Sequence, residues 1–149
     1  DISDVKTLIT NKTTAGIDAD WNVVISNTTL SAADAKIVNT ATSGTINISA
    51  STTLNGSTAD VLEIVNNSGA TFITASNYAT TLSDTASVSN ANTILGDTTG
   101  KVTATVSADT AANLNTGLSN ATATESHNPQ HFRGIKYAGR KQQGPLSSF

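Results

Sequence analysis

The feature that most constrains this chain is that it repeats. Five segments share one plan: a Ser-, Thr- or Asp-led, Ala-rich stretch, then an Asn/Ser/Thr/Gly turn, then a short β-branched run. They begin at residues 2, 31, 58, 85 and 110, a period of about 27. The clearest copies are 31–39 followed by Ser43-Gly44 and 45–49, and 58–66 followed by Ser68-Gly69 and 71–75. A unit of this size buries too little apolar surface to fold alone, so each must cover the open face of its neighbour.

Local chemistry assigns the parts. Ser31, Thr58 and Thr110 can cap a helix by accepting from its free amides. Apolar residues then recur at helical spacing, as in Val88, Ala91, Leu95 and in Ala111, Leu114, Leu118. Gly44, Gly69 and Gly100 stand where a left-handed residue would end each helix. Val102, Ala104 and Val106 alternate with Thr103 and Thr105, a half-buried strand. Strands recurring at a fixed period through a crossover pair in parallel. The expected fold is therefore an α/β solenoid with parallel strands and one short helix per coil. The alternative is an all-β right-handed solenoid, which the Thr-rich composition favours.

Charge divides the chain. Residues 1–124 hold four lysines (Lys6, Lys12, Lys36, Lys101), no arginine and ten acids; residues 126–149 hold Arg133, Lys136, Arg140 and Lys141 and no acid. The expected organisation is a repeat body over 1–124, of about five units, and a basic tail over 125–149, flexible or docking. Beginning at Asp1, the chain reads as a processed product or a fragment. Without cysteine it has neither disulfides nor a thiolate metal site, and no apolar run is long enough for a membrane span.

The stretch Lys101-Val-Thr-Ala-Thr-Val-Ser-Ala-Asp-Thr-Ala-Ala-Asn-Leu-Asn-Thr116 resembles the Thr/Ala/Asn-rich repeats of very large secreted bacterial, cyanobacterial-type adhesin- and haemolysin-like surface proteins, as does 31–51. That resemblance implies a secreted or cell-surface location, an adhesive or filament-forming role and no catalysis. The calcium-binding nonapeptides common in such proteins have no counterpart here, since no Gly-Gly-x-Gly-x-Asp motif is present.

Motifs that could carry chemistry have plainer readings. Gly96-Asp-Thr-Thr-Gly-Lys101 is one residue short of a phosphate loop, and Val102 occupies the magnesium-binding hydroxyl position, so it reads as a turn. His127 and His131 are four apart, but Pro129 breaks the helix that would align them for a metal. Asp4, Asp34 and Asp60 recur at one place in three units and could face a hard cation such as Ca²⁺; first-turn acids favoured by the helix dipole are the preferred reading. Asp18 and Asp20, two apart, do not make a glycosidase pair. Trp21, Phe72 and Tyr78 read as core anchors or end caps rather than a sugar platform. Phe132 and Tyr137 among the basic tail residues are too sparse for a nucleic-acid surface. Asn-x-Ser/Thr sequons at Asn11, Asn27, Asn47, Asn55, Asn66 and Asn120 matter only in a glycosylating host.

The sequence therefore predicts a non-enzymatic, self-associating structural module without catalytic, cofactor or metal residues. Its partners would be copies of itself or further repeats of a parent chain, with a glycan or cell surface as a further partner and no nucleic acid. A carbohydrate-binding adhesin module is the alternative.

Overall fold

The computed structural model describes residues 1–121 and 135–137. Five helices and eight strands follow in the order α1 (Ile2–Ala15), β1 (Val23–Val24), β2 (Thr29–Ser31), α2 (Ala32–Ala41), β3 (Ile46–Asn47), β4 (Thr53–Gly56), α3 (Thr58–Asn66), β5 (Phe72–Ile73), β6 (Ala79–Ala86), α4 (Val88–Asp97), β7 (Val102–Val106), α5 (Ala111–Gly117) and β8 (Ile135–Tyr137). Every strand pairing is parallel, and the strands fall into two sheets, β1-β3-β5 and β2-β4-β6-β7-β8.

Both expected coils are thereby corrected. The chain is a small α/β domain with two parallel sheets and five helices, not a single-strand α/β solenoid and not an all-β one. The parallel pairing was anticipated; the second sheet was not. The polar stretches 26–28 and 49–52 turn the chain between a strand of the first sheet and a strand of the second, so the apolar residues of one unit are shared between two layers.

The two sheets and the helices enclose one core. Val23, Ile46 and Phe72 share a register across the first sheet, and Leu30 and Leu54 across the second. All five are buried, together with Val38, Val61, Ile64, Ala91 and Ile94 from the helices. In α2, Ala35 and Val38 face the core; Val61 and Ile64 do so in α3, and Ala91 and Ile94 in α4, the same i, i+3 pair in three successive helices.

Helix starts carry local caps. Asp1 forms a capping box on α1, and Ser57, Ser87 and Thr110 accept from the third helical amide of α3, α4 and α5. Two expected caps are thus corrected: Thr58 is the first helical residue rather than the cap, and Ser31 makes no side-chain cap bond. Of the three expected left-handed glycines, Gly69 alone has positive φ. Gly44 and Gly100 are needed for close approach instead: a Cβ there would collide with the carbonyls of Trp21 and Tyr78.

Candidate functional site

Consecutive helices lie side by side, and the first three are stitched by charge. Lys6 Nζ reaches Asp34 at 2.8 Å, and Lys36 Nζ reaches Asp60 at 3.1 Å and Glu63 at 3.6 Å. The Ser57 hydroxyl, and then the Lys36 ammonium, hold the Asp60 carboxyl below its ordinary range, while the hydrogen bond to Asp60 raises Lys36. The acids Asp4, Asp34 and Asp60 do sit in the first turns of α1, α2 and α3. Two of them hold a lysine from the preceding helix. Among the described residues, Asp4, its side chain 81 % exposed, meets only the amino group of Asp1. A shallow groove of about 300 Å³ between α1 and α2 is lined by Ile2, Ser3, Lys6, Thr7, Thr10 and Asp34.

Two matching locks join the turns after α2 and α4 to the preceding strand segment. Thr42 Oγ1 donates to the Trp21 carbonyl at 2.5 Å and accepts from the Gly44 amide at 2.9 Å. Thr98 Oγ1 donates to the Tyr78 carbonyl at 2.6 Å and accepts from the Gly100 amide at 3.0 Å. Ser43 and Thr99 repeat the agreement, their amides donating to the carbonyls of Ala19 and Ser76. The turn that resembled a phosphate loop is therefore already filled by the protein's own carbonyls. Asp97 in that turn accepts from the Tyr78 hydroxyl at 2.7 Å. Burial first, and then this bond, push the Tyr78 phenol far above its ordinary value.

Carbonyl and carboxyl groups also reach across to cap neighbouring helices. Asp84 accepts from the amide (2.7 Å) and hydroxyl (2.6 Å) of Thr58 at the start of α3, which lowers its carboxyl. Asn27 accepts from the Ile2 amide at 2.7 Å at the start of α1. Neither role was anticipated from the sequence; the signal would have been an Asx residue one unit downstream of a cap.

The other candidates separate. Phe72 and Tyr78 are buried and Trp21 is half-buried, its indole N–H donating to Ala41. Asp18 and Asp20 lie on an exposed loop. Among the sequon asparagines, Asn11, Asn27, Asn47, Asn55 and Asn120 hydrogen-bond within the chain. Among the described residues, no three His, Cys, Asp or Glu side chains gather as a metal would require, and no helix is long and apolar enough to cross a membrane. His127, His131, Phe132, Arg133, Arg140 and Lys141 lie outside the described residues.

The sheet edges differ in a way that bears on association. The amides of Val23 and Ile25 donate to Thr45 and Asn47 of the neighbouring strand segment, so the Val24 N–H and C=O point away from the sheet. Nothing among the described residues pairs with them, and the Val24 side chain is 71 % exposed. At the opposite edge, β5 is closed by its own turn: Gly69 N donates to the Phe72 carbonyl and Phe72 N to the Asn67 carbonyl. Leu8 shows the same asymmetry. It is 37 % exposed, whereas Val38, Ile64 and Ile94, at the same helical position, are fully buried.

No family model matches the chain, and neither a curated protein nor a solved structure does so.

Proposed function

We propose that the chain is a structural module of a secreted or cell-surface bacterial protein, and that its work is to hold length and to associate with copies of itself. The observation that carries this reading is the unfinished first unit: Leu8 stands in the open where its counterparts are buried, and Val24 leaves a strand edge unpaired. Apolar surface and free strand edges of this kind are what a further unit covers. The stitching supports the same reading. Ion pairs join α1 to α2 and α2 to α3, threonine locks hold the turns after α2 and α4, and cross-unit caps hold the starts of α1 and α3.

Sedimentation velocity over a wide concentration range tests it. The expected result is a weight-average mass that climbs with concentration; a monomer at every concentration removes the reading.

A further inference from the structure

We infer that the outer face of the first unit, formed by α1, β1 and β2, is a docking surface for one further unit of the same helix–strand–strand plan, and that the unit it fits carries a lysine at the fifth position of its helix. This goes beyond association between copies, because the partner is a single lysine-bearing unit, and the two readings can fail separately.

The charge column carries the inference. Asp4, Asp34 and Asp60 each occupy the third position of their helices, and Lys6 and Lys36 the fifth position of theirs. The fifth-position lysine of one helix binds the third-position acid of the next: Lys6 binds Asp34 at 2.8 Å and Lys36 binds Asp60 at 3.1 Å. Asp4 is the same acid one step earlier, and its carboxylate lies open to solvent. Its local setting is that of Asp60. The Ser57 hydroxyl accepts from the Asp60 amide, and Asp60 still holds Lys36; the Asp1 carboxylate accepts from the Asp4 amide in the same way. Capping α1 therefore leaves Asp4 able to take a lysine. An incoming unit with an acid at its fifth position would set two carboxylates together and be disfavoured.

The backbone and the apolar positions repeat the match. Strands β1 and β2 are edge strands of their sheets. Val24 stands in register with Asn47, whose carbonyl accepts from the Ile25 amide of the unit before; the Val24 carbonyl faces the same way, toward the open edge. Thr29 stands in register with Thr53, whose amide donates to the Thr28 carbonyl of the unit before; by alternation the Thr29 amide faces outward from β2. Leu8 occupies the seventh helical position, where Val38 and Ile64 are buried by their neighbours. A unit laid on in the same direction therefore continues both sheets in parallel, covers Leu8 and brings its lysine to Asp4.

The test uses the full chain, dilute enough to be monomeric, and a synthetic peptide of residues 32–57, which holds Lys36 and the sequences of β3 and β4. Docked on the first unit, the peptide sets Lys36 against Asp4. Anisotropy of the labelled peptide should show saturable binding, and hydrogen exchange should find the Val24 amide slowed at least about tenfold. Lys36→Glu in the peptide should weaken binding about threefold or more, and Asp4→Lys in the chain should restore binding of that altered peptide. Because ordering a free peptide costs affinity, a second form tethers residues 32–57 ahead of Asp1 through a glycine–serine linker, which raises the local concentration and leaves the contact unchanged. Slowed exchange at Val24 in either form, diminished by Lys36→Glu, upholds the inference. If neither form slows Val24, or if Lys36→Glu changes nothing, the inference is wrong, whether or not the chain associates with itself.

Discussion

Thr42 and Thr98 each do with one hydroxyl what a turn usually needs two groups to do. Each satisfies a carbonyl of the preceding unit and the glycine amide of its own turn, and each is nearly buried. Thr98→Val keeps the shape and removes both bonds, leaving a buried carbonyl without its donor. Urea unfolding should show a loss of about 1–3 kcal/mol, and Thr98→Ser should recover most of it. Asp84 works across units in the same manner. Its carboxyl is lowered by the Thr58 hydroxyl and amide, so its contribution is present above the ordinary value of 3.8 and is lost as pH falls through the lower folded value. Asp60 has the same sign. Asp84→Ala should cost about 1 kcal/mol at neutral pH, as removal of a helix cap does. Stability of the unmutated chain and the variant should converge in acid, and denaturation at pH 7 and near pH 2.5 checks this.

At the scale of elements, apolar packing outweighs the charge ladder. Lys36 is part-exposed, so Lys36→Ala should change stability far less than a core truncation does and lose its effect in salt. Ile64→Ala, at a fully buried position, should cost about 2–5 kcal/mol, and thermal unfolding of the two variants compares them. The helices were legible in the sequence because polar starts and a 3.6 period reinforce each other: the stretch 58–66 is α3, with Thr58, expected as its cap, as its first helical residue. Strands β2, β4 and β6 were not legible, because each opens on Thr-rich sequence with few apolar residues and resembles a loop. What marks them is the thrice-written Thr-Thr-Leu of 28–30, 52–54 and 80–82. Even that signal misleads on register. Leu54 pairs with Thr80, and Leu82 pairs with Gly56, a slip of two residues. A shift of two keeps the same side chains facing inward, so the core tolerates it. Thr80 then sits buried in a leucine's place and donates its hydroxyl to the Leu54 carbonyl. The acidic column of Asp4, Asp34 and Asp60 was readable, but its lysine partners were not, because Lys6 and Lys36 have no counterpart at Leu62 and the pattern stops at α3.

For the whole molecule, the decisive quantity is how many neighbours each unit has. Helix α3 packs between α2 and α4, whereas α1 packs chiefly against α2. Helix α5 has no buried residue and α1 has Val5, whereas α3 buries Thr58, Val61 and Ile64, so opening should be easiest at the two outer helices and hardest at α3. Hydrogen exchange should therefore find the amides of α1 and α5 at least about tenfold less protected than those of α3, although α1 is the longest of the five helices. Length alone predicts the reverse order, since a longer helix is the better isolated former. Concentration separates end fraying from association. When the protein is concentrated enough to self-associate, protection should rise at α1, where Leu8 becomes covered, and stay constant at α3. Protection that is uniform along the chain and indifferent to concentration would mean that the units unfold as one body and that the open end meets nothing.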